Sequence, residues 1–516
     1  MDGIEAKGAN GPTWLWLGAL AVAAIVLAQM PLSLNHDAAW HLNVAMQMLA
    51  GAELGSDVFD VNPPMTAWLL SIPALLSKAT GLSPELSMRS FAVLVCLAAI
   101  AASAGLLRRL GFSGKALGIA LLFLAFALLA LPGYDFAQRE QFVAAMVLPY
   151  VLLSACRLRR VAVGAAHAIV IGAVAGIAIG TKPHFLAVPL CVEIWLLAAS
   201  RRPALLLRPE LIAMVATGIL YIVAVAVLAP AYLTEVLPDA LSNYDGFETG
   251  GASLVVLLTE NLAVFLFAPA LYLLGRRFPR DLGIPGAVCA AAFGFIVAAA
   301  LQQKGWSYHC LPAAAYAVFV LGLLVATDRQ PAGLLARAGV AAALAFGLRM
   351  PVLNLIDGYS PDGTNERVKR LAALFEANPG PNDTVFAFIT SPRDIHPAVL
   401  RSGLHWGNAA GAMVYLPALV KEERRAVASV HRASIYAAAE RHDAQVLKDL
   451  DRLHPGVIAV DSSARKLAFE GIDFDYLEYF DRYPEFRRIW QDYRESEPIG
   501  RFRIFLRRPQ SVAGGG

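Results

Sequence analysis

The chain is 516 residues long, 57% hydrophobic and only 16% charged, with 43 Lys and Arg against 40 Asp and Glu. A soluble globular chain carries about 25% charged residues, so this composition, with a mean hydropathy of +0.56, excludes an ordinary soluble enzyme and points to a polytopic membrane protein. The net charge of +3 is a small difference of two large counts, and no run of like charges marks a nucleic-acid partner.

Charge is unevenly distributed, because 44 of the 83 charged residues fall in 351–516. Residues 1–350 therefore read as the membrane domain and 351–516 as a water-soluble one. The five cysteines (Cys96, Cys156, Cys191, Cys289 and Cys310) lie in or beside apolar segments, with neither a disulfide framework nor metal-type spacing.

A helix needs about 20 mostly apolar residues to cross the hydrocarbon core. Such runs occur near 14–30, 89–107, 116–132, 142–156, 163–180, 184–200, 210–230, 254–274, 284–301, 310–327 and 333–350, which predicts eleven crossings. The first run follows a short stretch with one lysine and lacks a small-x-small cleavage pattern, so it is expected to stay as a helix.

Lys and Arg at helix ends are retained on the cytoplasmic side. With the N-terminus inside, the inner set is Lys7, Arg108, Arg109, Lys115, Arg157, Arg159, Arg160, Arg201, Arg202, Arg208, Arg276, Arg277, Arg280, Arg329 and Arg337, fifteen in all. The outer set is six: Lys78, Arg89, Arg139, Lys182, Lys304 and Arg349. The alternation holds at every loop and places 351–516 outside the cytoplasm.

The first outer loop, 31–88, holds His36, Asp37, His41 and the stretch Asn62 to Leu70, whose prolines suit one or two helices lying on the membrane surface. In the C-terminal part, Thr384–Ile389 and Val457–Val460 read as buried strands, and Glu366–Ala377 and Ala437–Leu453 as helices. Phe486–Tyr493 and Gly500–Leu506 are expected to pair as a final hairpin, giving a small α/β domain. No internal repeat is evident, and Ser511 to Gly516 reads as a flexible tail.

Charges near a bilayer core are costly and are retained for a reason. Asp37 and His41 follow the first crossing; Asp135, Arg139 and Glu140 follow the third; Lys182 and His184 the fifth; Lys304 and His309 the ninth. All face the outer side. Arg139, Lys182 and Lys304 run against the positive-inside bias and suit an anionic ligand such as a phosphate or diphosphate; the competing reading is of ordinary snorkelling charges. For Asp37, a chemical role competes with capping of the following helix. His36, Asp37 and His41 also form a weak metal-type pattern, since one helical turn brings His41 near Asp37. Glu193 and Glu260 lie inside apolar runs, need a partner if buried, and receive no role.

Four features together resemble membrane glycosyltransferases of the GT-C superfamily, in the branch of protein O-mannosyltransferases and lipid A aminoarabinose transferases. They are Asp37 soon after the first helix, Pro63-Pro64-x3-Trp68-Leu69 in the first outer loop, Glu140 in the next, and the late stretch Lys304-Gly305-Trp306-Ser307-Tyr308-His309 through Pro312. The resemblance spans roughly 14–330. It implies a GT-C-like fold of about eleven transmembrane helices with a C-terminal extracytoplasmic α/β domain, in the bacterial inner membrane, multi-pass, with the N-terminus cytoplasmic and the C-terminal domain periplasmic.

It also implies an activity: inverting transfer of a sugar, hexose or pentose, from a polyprenyl-phosphate donor to a glycan, lipid or protein acceptor. Asp37 and Glu140 would be the catalytic carboxylates. His41, Arg139, Lys182, His184, Lys304, Tyr308 and His309 would bind substrate, with the cations on the lipid phosphate. No cofactor is certain. Many members use a divalent metal, Mg or Mn, and others none, and Asp37, His41 and Glu140 are the candidate ligands. The chain has His-Asp-Ala where Asp-Glu is often seen, and Glu140 where Asp is more usual, which leaves metal dependence open.

Two other classes compete. A transporter or flippase of a lipid-linked sugar would place its binding residues near the midplane between repeats, whereas these charges sit at one edge. A non-catalytic assembly subunit would need the membrane part only as an anchor, for which eleven helices are many.

Overall fold

A computed structural model describes residues 13–243, 247, 251–274, 283–328, 333–427 and 429–509. Lys7, Arg276, Arg277, Arg280, Arg329 and the tail from Ser511 lie outside the described residues.

In chain order the helices are α1 (Thr13–Gln29), α2 (His36–Leu49), α3 (Pro64–Thr80), α4 (Pro84–Arg109), α5 (Gly114–Ala125), α6 (Arg139–Leu158), α7 (Ala165–Gly180), α8 (Ala187–Ser200), α9 (Pro209–Leu228), α10 (Leu237–Asn243), α11 (Gly251–Leu274), α12 (Gly283–Gln302), α13 (Leu311–Thr327) and α14 (Leu334–Tyr359). The C-terminal part adds α15 (Thr364–Ala377), β1 (Thr384–Phe388), α16 (Ile395–Ser402), β2 (His405–Trp406), α17 (Leu416–Glu423), α18 (Arg432–Leu453), β3 (Val457–Asp461), α19 (Tyr476–Asp481), α20 (Pro484–Trp490), β4 (Tyr493–Ile499) and β5 (Phe502–Arg507).

Among the described residues, eight segments are long and apolar enough to cross a membrane, and three shorter apolar helices, Thr13–Gln29, Gly114–Ala130 and Ala165–Gly180, occupy the remaining predicted runs. The chain divides into two compact units. One comprises residues through 32, 89–223 and 251–356; the other comprises 33–88, 224–248 and 357 onward.

In the first unit α6 and α13 are the central helices, with 89% and 78% of their apolar windows buried, whereas α9 is 11% buried and presents Leu220, Val227 and Leu228 outward. Leucine gains nothing by leaving lipid, so such helices associate through close backbone approach. A Cβ on Gly172 of α7 would lie 2.0 Å from the Glu210 carbonyl oxygen at the start of α9. One on Gly294 of α12 would lie 2.6 Å from the Val188 Cα of α8.

Glu193, set in an apolar run, is not isolated. Its Oε1 accepts from the Tyr150 hydroxyl at 2.5 Å and from the Arg208 guanidinium, and its Oε2 accepts from Arg208 Nη1 at 2.5 Å. Glu210 accepts from Arg157 Nε and Nη2 at 2.9 and 3.0 Å and lies 3.0 Å from Arg208 Nε. The network ties α6, α8 and α9 together where the sequence offers two acids and two arginines. Glu260 is exposed on α11.

In the second unit the five-stranded sheet has the order β2-β1-β3-β5-β4. β2, β1 and β3 run parallel, β5 is antiparallel to β3, and β4 and β5 form a hairpin. β1 and β3 are buried at every position, as continuous Val/Phe/Ile runs in parallel strands must be. Phe386, Phe388, Ile458 and Val460 pack with Tyr476, Phe480, Phe486 and Leu450 in one core. The loop predicted to carry surface helices supplies α2 and α3.

The hairpin is displaced from its expected place. Phe486, Ile489, Trp490 and Tyr493 are spaced for a helix face, and Pro484 opens α20 at its first turn. The first strand of the hairpin is instead the polar run Tyr493–Ile499, an edge strand with Arg494, Glu495 and Glu497 exposed and Pro498 at a register shift.

Removing one partner from a buried ion pair leaves the other charge uncompensated. Glu193→Ala should therefore lower stability by about 3 kcal/mol, read as a drop in the melting temperature of detergent-purified protein. Glu193→Leu combined with Arg208→Met should recover most of that loss. A double variant as unstable as the single one would contradict this account.

Candidate functional site

The predicted polar residues fall into two groups, one in each unit. In the membrane unit, Glu140 sits in the first turn of α6, where its carboxylate complements the helix dipole. The chain enters α6 through Ala137, held at φ +71°, and the Ala137 N–H donates to Gln141 Oε1 at 2.6 Å. Glu140 is wholly buried.

Lys182 stands in the extended link after α7, one residue before a short 3-10 turn, Pro183–Leu186. Its Nζ donates to Glu140 Oε1 at 3.1 Å and lies 3.2 Å from His309 Nε2. An ammonium only donates, so His309 must accept through Nε2 and carry its proton on Nδ1, a tautomer assigned from the bonding pattern.

His309 lies in the 3-10 turn Ser307–Cys310, just ahead of α13. The Trp306 and Tyr308 rings flank it at 5.5 and 4.5 Å, and Lys182 Nζ lies 5.9 Å above the Tyr308 ring. Glu140 Oε2, His309 Nδ1 and His184 Nδ1 are buried and have no hydrogen-bond partner among the described residues. Lys182 and Lys304 both act electrostatically on His184, and Arg139 and Lys304 on His309. The structure thus brings together Glu140, Lys182, Tyr308 and His309, with Arg139, His184 and Lys304 around them. Sequence order places these groups in three separate segments.

In the second unit, Asp37 is in the first turn of α2. Capping is done by Asn35, whose Oδ1 accepts from the Asp37 N–H at 2.9 Å, so the Asp37 carboxylate is not the cap. It is one-fifth exposed and lies 3.7 Å from His36 Nε2. Burial lowers the pKa of His36, against which Asp37 acts.

His41, one turn on, is buried, with Nδ1 3.7 Å from Asp60 Oδ2. Burial would raise the pKa of Asp60, but the neighbouring His41 and the bonds with Asn62 outweigh it and the pKa is lowered. Among the described residues, no group of three or more His, Cys, Asp or Glu side chains is gathered that could hold a metal ion.

His396 was not singled out by sequence, standing among uncharged residues just after Arg393 and Asp394. It is fully buried on α16, its ring 4.8 Å from that of Trp40 and 4.7 Å from that of Trp406, with Nε2 2.6 Å from the Gly411 carbonyl oxygen.

These elements define a class: a polytopic helical membrane protein with a small mixed-sheet domain and a charged cluster at its helix ends. No protein-family model matches the chain, and no curated protein sequence matches it. Solved structures do. The crystal structure of ArnT from Cupriavidus metallidurans bound to undecaprenyl phosphate is similar over 98% of this chain and 99% of its own, with 16% identity and a TM-score of 0.62. The same protein in the apo state is similar over 96% of this chain and 99% of its own, with 14% identity and a TM-score of 0.59. The chain therefore has the fold of these two structures along nearly its whole length.

Burial holds the His396 imidazole down at about 4, from an ordinary value of 6.5, with His36 and His41 acting in the same direction and Asp37 and the Gly411 carbonyl against it. The unfolded chain takes the proton first, so this residue's contribution to stability is complete above about pH 6.5 and lost as pH falls toward 4. The loss is about 3 kcal/mol. Melting between pH 7 and 4.5 should show it, and His396→Phe should flatten that slope; an equal slope in the variant would contradict the assignment.

Proposed function

We propose that this protein is an integral membrane glycosyltransferase that moves a sugar from a polyprenyl-phosphate carrier to a glycan, lipid or protein acceptor at the periplasmic face, with inversion. The observation that carries the reading is the Lys182 ammonium held between Glu140 and His309, with two buried heteroatoms beside it that lack partners. The fold supports it, since it is that of a protein crystallised with undecaprenyl phosphate. Sidedness rests on the loop charges counted from sequence.

The chemistry asks for two things. An acceptor hydroxyl must lose its proton as its oxygen bonds to the anomeric carbon, and the carbon–oxygen bond to phosphate must break with the electron pair leaving on the phosphate. Asp37 is the carboxylate with partial access to solvent, and it takes the proton. Lys182, Arg139 and Lys304 balance the phosphate charge, and the His309 Nδ1–H donates to a phosphate oxygen. Glu140 orients Lys182 through its Oε1. A single displacement inverts the anomeric centre.

The described side chains gather no set of three metal donors, so none of these steps is routed through a metal. Transfer assays with and without EDTA measure that dependence directly.

Purified protein should transfer radiolabelled sugar from polyprenyl-phosphate sugars to total envelope acceptors, and Asp37→Asn should reduce the rate by about 10²–10⁴-fold. Lys182→Gln should raise KM for the carrier by about tenfold, the cost of one charged contact of about 1.4 kcal/mol. Full transfer by Asp37→Asn, at matched expression and melting temperature, would sink the assignment of the base. Carrier movement across liposomes without any transfer would favour a flippase.

A further inference from the structure

The second unit holds a polar cleft, away from the residues assigned above, on the β2 edge of the sheet. It has a volume of about 530 Å³, within the ~300–1,000 Å³ of small-molecule sites. Its walls come from the start of β1, the turn after β2, the last turns of α18 and the end of α2. Eleven of its fifteen lining residues carry polar side chains. From this cleft we infer that the unit binds an oligosaccharide, which the transferase reading makes the acceptor.

The lining is pre-ordered. Asp449, almost wholly buried on α18, accepts from the Ala409 N–H at 3.2 Å, from Gln445 Nε2 at 3.1 Å and from Arg452 Nη2 at 3.2 Å. Trp406 is fixed through its indole N–H, which donates to the Ala410 carbonyl at 2.9 Å. Gly407 brings the backbone close to β1, where a Cβ would fit tightly at 3.1 Å from the Val385 carbonyl oxygen.

Against this rigid frame, several polar groups have no protein partner among the described residues. Asn408 is 7% exposed and spends its Oδ1 on the Ala410 N–H at 3.0 Å, which leaves its amide NH2 uncommitted and lining the cleft. The Gln445 amide oxygen, the His405 imidazole and the Lys448 ammonium are likewise uncommitted.

Sugar hydroxyls both donate and accept, and they match a wall of amides, imidazole and carboxylate that offers both functions. Opposite charges line the same cleft, Lys448 and Arg452 with Asp57 and Asp449, so it has no net sign to select a phosphate. Trp406 and the His405 imidazole are the aromatic groups among the lining residues. Fixed donors and acceptors spare the ordering cost that a loop-built site would incur.

The test uses the full-length protein in detergent, with fluorescent trisaccharides of mannose, glucose, galactose and N-acetylglucosamine as probes and ADP and inorganic phosphate as controls. The expected result is binding of at least one trisaccharide, weakened at least tenfold by Gln445→Ala and by Asn408→Asp at unchanged melting temperature. Gln445 is only half-buried, so its variant keeps the test meaningful if Asn408→Asp fails to fold. Absence of trisaccharide binding, equal binding by the cleft variants, or binding of ADP or phosphate in their place would overturn the proposal. If wild type binds a trisaccharide but transfers no sugar, the transferase reading fails alone and the cleft stands.

Discussion

A charge buried among apolar helices must find a partner, and the membrane unit follows from how fully that demand is met. Around Glu193 and Glu210 it is met in full. All four carboxylate oxygens accept hydrogen bonds, from Tyr150, Arg208 and Arg157. Around Glu140 it is met in part, since Oε1 holds Lys182 while Oε2 and His309 Nδ1 have no partner among the described residues. The first cluster is closed and works as a fastening between α6, α8 and α9. The second is open, and an open polar cluster in a buried place is where a ligand can supply what the protein withholds.

The two clusters share α6. Glu140 sits in its first turn, Tyr150 in its middle and Arg157 in its last turn. Its burial along almost its whole length means that the open site is anchored to the most constrained helix of the unit. The bonded network along it fixes the rotation of α6, and with it the direction in which Glu140 faces. A positioned site on a rigid element is what phosphate recognition by several cations needs.

The second unit solves a different problem. Its sheet has a dry side packed with aromatic side chains and an edge at β2 that must stay hydrated or be covered. Rigid, bonded polar groups line that edge, while α2, with Asp37 in its first turn, packs against α16. The proposed base and the proposed saccharide cleft thus belong to one folded body. Its buried His396 makes that body lose stability as pH falls below about 6.5.

Much of this was legible in the chain itself. Apolar run length finds the eight described helices long enough to cross a membrane and the three shorter apolar ones, and continuous Val/Ile/Phe runs mark β1 and β3, because only a doubly covered strand tolerates them. Asp37, Glu140, Lys182, Lys304 and His309 stand out because charge beside an apolar run is costly wherever it falls. Other features were illegible for physical reasons. Helical spacing at Phe486 to Tyr493 competed with strand-forming residues, and the true strand is polar because one side of it meets water. The pairing of Glu193 with Arg208, the choice of Asn35 over Asp37 as cap, the meeting of Lys182 with Glu140 and His309, and the cleft around Asn408 each join residues through space or through a rotamer. Sequence alone determined which segments leave water and which residues resist leaving it, since both depend on local composition. Only the tertiary structure decided which of those charges satisfy one another, because that depends on helix rotation and on distances between segments far apart in the chain.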